Sequence, residues 1–461
     1  MNKLDINTVK CIYFLGIGGI GMSALARYFN AQGIQVKGYD KTPSSLTQSL
    51  ISEGITISFI DQGEEIASSL PAKEELLVVY TPAVPASMEE FVYFQTNGYQ
   101  IFKRSEVLGL ITQSSKGLCV AGTHGKTTTS AMLAHIMQVS DLKCNAFLGG
   151  ISTNYGTNYL TDPSSTYTVI EADEFDRSFL KLAPFASIIT TTDPDHLDIY
   201  GDKENFQKGF EEYAELIDIS GCMVVRKGIS LTTKAPVRTY SVTEHADYYA
   251  TNIHYRDGYQ WMDVHFDAIT WKDVKLGLPG THNAENALAC IALVDFLGLQ
   301  ENVIRLALAS FKGVKRRFDL HVRTKDLIYI DDYAHHPTEI HALLSSVKKM
   351  YPEMSITTIF QPHLFSRTND FMEEFAKELS VSDHLILLPI YPARELPIPN
   401  VTSEKLASLV TNSSYEVLEM DKVLDYLSTV EKGVILTVGA GDIDQLVGTI
   451  KEMLLSRCIE E

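Results

Sequence analysis

The chain has 461 residues, of which 45% are hydrophobic and 21% charged, a composition typical of a folded globular protein. This excludes a mostly disordered, collagen-like or coiled-coil chain, and at roughly 150 residues per domain the length indicates about three domains. Asp and Glu outnumber Lys and Arg by 58 to 39, so the net charge is −19. Such an excess of acid argues against non-specific binding of nucleic acid and against docking on an anionic membrane.

Membrane and export signals are not evident in the sequence. No apolar run approaches the ~18 residues that a membrane span needs, and the N-terminal residues lack the apolar segment of a secretory signal. The cysteines are scattered and have no metal-ligand spacing, so we expect reduced, buried thiols in a cytoplasmic protein. They are Cys11, Cys119, Cys144, Cys222, Cys290 and Cys458.

Short apolar runs alternate with amphipathic stretches along most of the chain, a pattern typical of βαβ units and parallel sheets. We predict a first domain over residues 1–111, a second over 112–314 and a third over 315–461. In the first, strands are predicted at 11–15, 35–39 and 76–80, with a helix over 20–32.

A glycine-rich turn follows the first predicted strand and opens the helix. Gly16, Gly18 and Gly21 fit the pattern GxGxxG, Gly19 adds a further glycine, and Asp40 follows the second strand. Glycines let the backbone approach a pyrophosphate, and the helix N-terminus stabilises its charge. The spacing fits NAD, but equally any ligand with a diphosphate, such as a UDP-sugar, and a tight turn without a dinucleotide stays open.

A second glycine-rich turn follows the strand predicted at 117–121 and again precedes a helix. Such a loop supplies backbone N–H groups, a lysine for the β- and γ-phosphates, and a hydroxyl for Mg²⁺. It is shorter than a full Walker motif, because position 120 is Val where that motif has Gly. The proposed ATP-binding residues of this loop are Gly122, Thr123, His124, Gly125, Lys126, Thr127 and Thr128.

Acidic motifs follow two further predicted strands of the second domain, at 167–170 and 187–190. Glu174 belongs to the first motif, and His196 to the second. Carboxylates at strand ends beside such a loop are where Mg²⁺ ligands are expected. From spacing alone, His196 could ligate a second metal ion or be structural.

The rest of the second domain reads as a β-hairpin insertion over 240–275, followed by a helix over 284–296. Asn283 and Asn286 lie three residues apart at the start of that helix and therefore share a face. Their amides could contact a nucleobase edge, or Asn283 could cap the helix.

In the third domain, strands are predicted at 327–330, 355–360, 384–388 and 434–438, and the Pro-rich stretch 388–399 is predicted to be an ordered loop. Arg316 and Arg317 form a cation pair suited to phosphate or carboxylate. Polar residues follow the strands, so we predict a site along the carboxyl edge of this sheet.

Taken in order, these motifs resemble those of the Mur ligase family. The resemblance covers essentially the whole length and rests on residues 14–23, 121–129, 171–174, 195–196, 282–286, 316–318, 331–337 and 361–367. It implies an α/β fold of three domains: N-terminal Rossmann-like, central P-loop ATPase with a mixed sheet and β insertion, and C-terminal Rossmann-like. The histidine of the second loop and the first glycine-rich turn resemble the L-alanine-adding branch of the family.

The resemblance also implies roles for individual residues. Gly16, Gly18, Gly19, Gly21 and Asp40 would hold the UDP part of UDP-N-acetylmuramate. Thr127 and Glu174 would ligate Mg²⁺ or Mn²⁺, and His196 would help to hold a second ion. Asn283, Asn286, Arg317 and Asp332 would complete the site of ATP, whose phosphates Lys126 would bind. Tyr333, His363 and Arg367 would contact the amino acid, and the residues expected to serve catalysis are Lys126, His196, Arg317, His363 and Arg367.

The implied reaction is ATP-dependent addition of L-alanine to the lactyl carboxylate of UDP-N-acetylmuramate, through an acyl phosphate, by a cytoplasmic monomer or homodimer. A ligase of murein recycling that adds a tripeptide is the nearest alternative. An NAD-dependent oxidoreductase leaves the second loop unexplained, and a nucleotide sensor would bind ATP without turnover. Ala334, Leu364 and Phe365 depart from residues frequent in the family, Gly and Arg-Tyr, near the implied amino-acid pocket.

Overall fold

A computed structural model describes residues 9–194, 197–256, 258–393, 395–411 and 414–459. Strands and helices alternate over most of these residues, and the predicted α/β class is confirmed. The chain forms two compact units. The first comprises Met1–Ile253, Met262–Lys275 and Ala284–Phe311, and the second His254–Trp261, Leu276–Asn283 and Lys312–Glu461.

The first sheet is parallel and has the order β3-β2-β1-β4-β5 in the described part of the chain. Its central strand is buried over all five residues, as expected of a parallel strand covered on both faces. The strand order reverses between β1 and β4, and a crevice forms at the carboxyl ends of strands at such a point. The strands are β1 (Cys11–Leu15), β2 (Gln35–Tyr39), β3 (Thr56–Ser58), β4 (Leu76–Tyr80) and β5 (Gln100–Lys103), and the helices are α1 (Ile20–Ala31), α2 (Ser45–Ser52), α3 (Glu89–Thr96) and α4 (Arg104–Gln113).

The second sheet is mixed, with the order β15-β14-β13-β12-β11-β10-β6-β9-β7-β8. Strand β6, which precedes the second glycine-rich turn, lies between β9 and β10 and pairs with both in parallel. The strands are β6 (Lys116–Ala121), β7 (Asn145–Phe147), β8 (Tyr159–Leu160), β9 (Tyr167–Glu171), β10 (Pro184–Ile189), β11 (Cys222–Arg226), β12 (Val237–Ser241), β13 (Tyr248–Arg256), β14 (Tyr259–Phe266) and β15 (Ile269–Leu276). The helices that follow its strands are α5 (Lys126–Val139), α6 (Leu197–Tyr200), α7 (Lys203–Glu215), α8 (Thr281–Phe296) and α9 (Glu301–Ser310).

The third sheet has the order β16-β17-β21-β18-β19-β20 and is parallel except for the β16–β17 pair. Its strands are β16 (Asp319–Arg323), β17 (Leu327–Asp332), β18 (Ile356–Phe360), β19 (His384–Leu387), β20 (Ser414–Val417) and β21 (Gly433–Val438). Its helices are α10 (Pro337–Met350), α11 (Phe365–Asp370), α12 (Met372–Leu379), α13 (Ser403–Ala407), α14 (Val423–Leu427) and α15 (Gln445–Ile459).

The strands that sequence patterns did not predict lie mostly at sheet edges. β3 and β20 are short and contain no fully buried residue, so they carry no continuous apolar run. The predicted β insertion is present, but as three successive strands rather than a hairpin; β14 alternates between half-buried and buried residues, which explains its period of two. The bounds of the three domains stay a prediction; the three sheets span residues 11–103, 116–276 and 319–438.

Two expectations from composition can be compared with the described residues. The thiols of Cys11, Cys119, Cys144, Cys222 and Cys290 are unpaired and buried, as expected. Among the helices of the described ranges, none combines the length and the apolar character that crossing a membrane requires.

Candidate active site

The first glycine-rich turn joins β1 to α1. Gly16 has φ +84°, a left-handed conformation that favours glycine, and its N–H donates to the Tyr39 carbonyl at 2.8 Å. The N–H of Gly18 donates to Oδ2 of Asp40 at 2.7 Å. A Cβ at Gly18 would lie 2.8 Å from the same oxygen. Asp40 therefore lies beside the turn and shapes it through a hydrogen bond.

Two basic residues near this turn were missed by sequence patterns. Arg104, the first residue of α4, places its guanidinium over Gly21, in the space that a Cβ there would occupy. Its Nη2 lies 3.6 Å from Oδ2 of Asp173, and Nζ of Lys103 lies 2.8 Å from Oδ2 of Asp176. The signal for them in the sequence is a Lys-Arg pair at the end of β5, the edge strand of the sheet that carries the turn.

A cavity of about 410 Å³ opens beside α1 within the first unit. This volume lies within the range of small-molecule sites. Its walls come from the start of α1, the segment after β4, the start of α4, the end of β7 and the acidic motif after β9. Residues that line it include Gly19, Gly21, Thr81, Lys103, Arg104, Phe147, Leu148, Gly149, Glu171, Asp173 and Phe175.

The second glycine-rich turn joins β6 to α5. Gly122 has φ +130° and Gly125 has φ +82°. A Cβ at Gly122 would lie 2.8 Å from the backbone nitrogen of Thr191, so only glycine fits there. The N–H groups of Thr123 and His124 donate to the carbonyl and the hydroxyl of Thr191, at 3.2 and 3.0 Å. The turn is thus fixed to the segment that follows β10.

The start of α5 carries paired charges. Nζ of Lys126 donates to both oxygens of Glu174, at 2.6 and 2.8 Å, and the side chain of Glu174 is only 1% exposed. Burial raises the pKa of Glu174, and Lys126 opposes that shift. The hydroxyl of Thr127 instead donates to Oε1 of Glu171 at 3.0 Å, and Oε2 of Glu171 accepts from the N–H of Gly149 at 3.1 Å.

The resemblance implies that Thr127 and Glu174 hold one metal ion together. In the structure, however, Thr127 is hydrogen-bonded to Glu171, and Glu174 is paired with Lys126. Both glutamates belong to one motif: Glu171 is the last residue of β9, which pairs with β6, and Glu174 follows the strand. His196 lies outside the described residues. Within the described ranges, no group of three or more His, Cys, Asp or Glu side chains has the arrangement of a metal site.

The two asparagines near the start of α8 have different surroundings. Oδ1 of Asn286 lies 3.2 Å from the position that a Cβ at Gly125 would take, so Asn286 borders the second turn. Nδ2 of Asn283 donates to the carbonyl of Pro279 at 2.6 Å, and the side chain is buried. That bond at the helix start supports the structural role that sequence reasoning left open for Asn283.

In the second unit, the two neighbouring arginines differ. Nε of Arg316 donates to the buried carboxylate of Asp331 at 3.1 Å, and its Nη2 donates to the Gly439 carbonyl at 2.6 Å. These bonds fix the segment before β16 to the ends of β17 and β21. Both guanidinium groups lie near the ring of Tyr333, at 5.4 Å from its centre for Arg316 and 6.0 Å for Arg317, and Tyr333 is 37% exposed.

Asp332 is the last residue of β17 and bonds to the backbone before β16 and after β17. Its carboxylate accepts from the N–H groups of Phe318 and Ala334, both at 2.7 Å. Burial raises the pKa of Asp332 to about 6, although both hydrogen bonds and Arg317 oppose the shift. Asp332 thus fixes the backbone at Phe318, the neighbour of Arg317, and is itself the neighbour of Tyr333 in the chain.

His363 and Arg367 come together around the start of α11. Nη1 of Arg367 lies 3.4 Å from Nδ1 of His363, whose ring stacks on Tyr391 with centroids 5.7 Å apart. The ring of His335 lies 6.1 Å from that of His363. Burial lowers the pKa of both histidines, and Arg367 adds to this effect, so the site favours the neutral form of both rings.

Each unit therefore carries its own polar cluster. The first unit combines a diphosphate-type turn with a lysine-containing turn backed by two carboxylates. A dehydrogenase needs no lysine-containing turn of this kind, and a simple ATPase needs no second phosphate turn. An enzyme that joins a nucleotide-carried substrate to another molecule at the expense of ATP needs both. Fold and site define the class of ATP-dependent ligases.

Comparison with known proteins agrees with this class. The Mur ligase catalytic domain family matches residues 11–116, the Mur ligase middle domain family residues 120–294, and the glutamate ligase domain family of Mur ligases residues 316–441. The chain belongs to the Mur ligase family.

Relatives and solved structures match over nearly the whole chain. It is 49% identical over 455 residues to the UDP-N-acetylmuramate–L-alanine ligase of Parabacteroides distasonis, covering 98% of each chain. It is 46% identical over 451 residues to the enzyme of that name from Flavobacterium johnsoniae, covering 98% of this chain and 99% of that one. The crystal structure of UDP-N-acetylmuramate–alanine ligase from Thermotoga maritima has a TM-score of 0.83 at 30% identity, over 97% of this chain and 99% of that one. A murein peptide ligase from Psychrobacter arcticus, at 24% identity, shares the fold with a TM-score of 0.67, over 96% of this chain and 98% of that one.

Proposed function

We propose that the enzyme joins L-alanine to the lactyl carboxylate of UDP-N-acetylmuramate at the expense of ATP, in peptidoglycan precursor synthesis. The observation that carries this proposal is the pair of phosphate-type turns in one compact unit, and the similarity of the full chain to ligases of that name supports it. ATP and UDP-sugars are cytoplasmic metabolites, so we infer that the reaction takes place in the cytoplasm.

Chemistry explains why such a reaction uses ATP. A carboxylate is a poor electrophile, because its leaving group would be oxide. Transfer of the γ-phosphoryl group makes an acyl phosphate, and the neutral amine of L-alanine then attacks its carbonyl carbon. The tetrahedral intermediate releases phosphate and leaves the amide.

The cavity beside α1 is the proposed site of the sugar nucleotide. Gly16, Gly18, Gly19 and Gly21 bring the backbone and the N-terminus of α1 to the diphosphate. Arg104 adds a bidentate cation that already lies over Gly21. Asp40 shapes the turn through Gly18.

The turn before α5 is the proposed site of the ATP phosphates. Because Thr191 holds the N–H groups of Thr123 and His124, the N–H groups for phosphate come from Gly125 onward. Lys126 exchanges its partner Glu174 for phosphate oxygens. Asn286 borders this turn and is the better placed of the two asparagines to contact the nucleotide.

The hydroxyl of Thr127 and the carboxylate of Glu171 form an oxygen donor set that suits Mg²⁺. We therefore assign Glu171, rather than Glu174, as the partner of Thr127 in holding the ion. Bound Mg²⁺ offsets negative charge on the transferred phosphoryl group. Glu174 serves instead as the counter-charge of Lys126.

The cluster in the second unit is the proposed site of the amino acid. Arg367 presents a guanidinium suited to the carboxylate of L-alanine, next to a neutral His363. Tyr333 is partly exposed on the same carboxyl edge of the sheet, and Arg317 adds a cation near it. Asp332 fixes the backbone of Phe318, before β16, and of Ala334, after β17.

The test is phosphate release from MgATP and UDP-N-acetylmuramate with L-alanine, glycine, L-serine, D-glutamate or the L-Ala-γ-D-Glu-diamino acid tripeptide. We expect release that depends on the sugar nucleotide and is fastest with L-alanine. Release with the tripeptide alone would assign the protein to murein recycling. ATP binding without release in any combination would contradict the ligase assignment.

A further inference from the structure

The Pro-rich segment between β19 and α13 is bonded to the turn that carries His363. The N–H of Leu364 donates to the carbonyl of Tyr391 at 2.9 Å, and the N–H of Tyr391 donates to the carbonyl of Pro362 at 2.8 Å. The rings of His363 and Tyr391 stack with an interplanar angle of 16°. The segment thus lies along the turn as a short strand-like pairing.

The turn has an unfavourable backbone conformation at one residue. Leu364 has φ +70° and ψ 135°, in a region that residues with a side chain rarely adopt. A residue is held in this conformation only when its surroundings fix it. Part of the restraint comes from Thr368, whose N–H and hydroxyl both donate to the Leu364 carbonyl, at 3.1 and 2.8 Å.

A further restraint on the turn comes from Glu395. Its Oε2 accepts from the N–H of Ser366 at 2.9 Å, and its Oε1 accepts from the hydroxyl of Ser366. Both are hydrogen bonds to a carboxylate, which are stronger than neutral ones. They also lower the pKa of Glu395, so the side chain is ionised at neutral pH. We call Glu395 and Ser366 the latch.

The latch lies between the two residues proposed to receive the amino acid. Ser366 is preceded by the strained turn with His363 and followed directly by Arg367, and the side chains of His363 and Arg367 are 3.4 Å apart. A change in the conformation of Leu364 would move the two side chains relative to each other. A bidentate contact with a small carboxylate tolerates little such movement.

We propose that Glu395 is a positioning residue for amino-acid recognition: through Ser366 it holds the strained turn in which His363 and Arg367 face the incoming amino acid. This inference rests on the proposed function, in which those two residues contact L-alanine. Glu395 itself acts through Ser366 and is not assigned a contact with substrate.

The test compares Michaelis constants for the three substrates in Glu395→Gln, Ser366→Ala and Ser366→Thr. Losing one charge-assisted bond in Glu395→Gln is expected to raise KM for L-alanine about tenfold, and Ser366→Ala about threefold. Ser366→Thr keeps the hydroxyl and should stay within about twofold of wild type. KM for ATP and for UDP-N-acetylmuramate should not change, a split that general loss of folding would not produce.

Glu404→Gln is the matched control, because Glu404 is also a carboxylate of the second unit whose pKa is lowered by a neighbouring hydroxyl, that of Thr402. It should leave all three KM values unchanged. The double variant Glu395→Gln/Ser366→Ala should raise KM for L-alanine less than the product of the single effects. An unchanged KM for L-alanine in Glu395→Gln, or an equal rise in all three KM values, would overturn the positioning role of Glu395.

The wild-type panel separates this inference from the proposed function. If the wild type uses another amino acid or the tripeptide, the proposed function fails, and the same variants are measured with the substrate that it uses. If the melting temperature of Glu395→Gln is well below that of the wild type, the comparison of Ser366→Ala with Ser366→Thr tests the proposal instead. Equal KM values for the amino acid in these two variants would contradict a role for the Ser366 hydroxyl.

Discussion

The two glycine-rich turns of the first unit share a local plan, yet their charges come from different places. Each follows a buried parallel strand and opens a helix. At the second turn the cation, Lys126, is part of the motif. At the first turn the cation is Arg104, which begins α4 after the last strand of that sheet. A glycine-rich motif therefore predicts a complete phosphate site only where the basic residue is part of the motif itself.

The counter-charges differ as well. Lys126 is paired with a carboxylate that is 1% exposed, whereas Arg104 and Asp173 are separated by 3.6 Å and their side chains are 25% and 37% exposed. Removing one member of a buried pair leaves an uncompensated charge, while exposed pairs are screened by solvent. We therefore expect changes at the second turn to cost more than changes at the first.

The largest effect is expected for Lys126→Ala. Loss of the cation that we propose binds the ATP phosphates should lower kcat by about 10³-fold or more, measured as phosphate release. Glu174 would be left buried without its partner, so the melting temperature should also fall, and adding Glu174→Gln should restore stability but not activity. Lys208→Ala, an exposed lysine on α7, is the control. Normal kcat in Lys126→Ala would contradict the assignment of this turn.

A second comparison separates Glu171, the last residue of β9, from Glu174, which follows the strand. Because Thr127 bonds to Glu171, we expect Glu171→Gln to lower kcat about 10²-fold and to raise the Mg²⁺ concentration that half-saturates the enzyme. Glu174→Gln should change kcat less than about tenfold, because in the proposed site Glu174 is the buried counter-charge of Lys126 and not a ligand of the metal ion. Measuring kcat of both variants as a function of Mg²⁺ concentration shows which glutamate holds the metal ion. The reverse ranking would assign the metal ion to Glu174, as the family resemblance implies.

That pair of residues illustrates what the sequence could and could not predict. The α/β class, the bounds of β1, β2 and β4, and the position of Lys126 follow from local patterns, because apolar runs and glycine turns are local signals. Which glutamate faces Thr127 depends on where β9 ends beside β6. That is a tertiary fact, so three-residue spacing within one acidic motif could not decide it.

Other omissions have the same cause. Arg104 reaches Gly21 only because β5 lies in the same sheet as β1, and sheet order is not visible in a local pattern. Glu395 reaches Ser366 across the pairing of Tyr391 with the segment before α11. The roles of His363 and Arg367 were proposed from resemblance, and they stay predictions that the latch experiment addresses.

At the first turn, Arg104→Gln should weaken binding of the sugar nucleotide. Loss of the cation over Gly21 is expected to raise KM for UDP-N-acetylmuramate about tenfold, with KM for ATP unchanged. Arg305→Gln, which removes an i,i+4 ion pair on α9, is the control and should change neither value. If KM for ATP rises as much as KM for the sugar nucleotide, the two turns do not serve separate ligands.

The smallest effect is expected for Gly21→Ala. A Cβ at Gly21 would occupy the space of the Arg104 guanidinium, which is the far end of a flexible side chain and can move away. We expect the fold to be retained and KM for UDP-N-acetylmuramate to rise about threefold, because the cation is displaced rather than lost. Gly448→Ala, also within a helix but with nothing near its Cβ position, is the control and should leave KM unchanged. Since Gly21→Ala acts through Arg104, adding it to Arg104→Gln should change KM no further; a further rise would show that the methyl group itself obstructs the diphosphate.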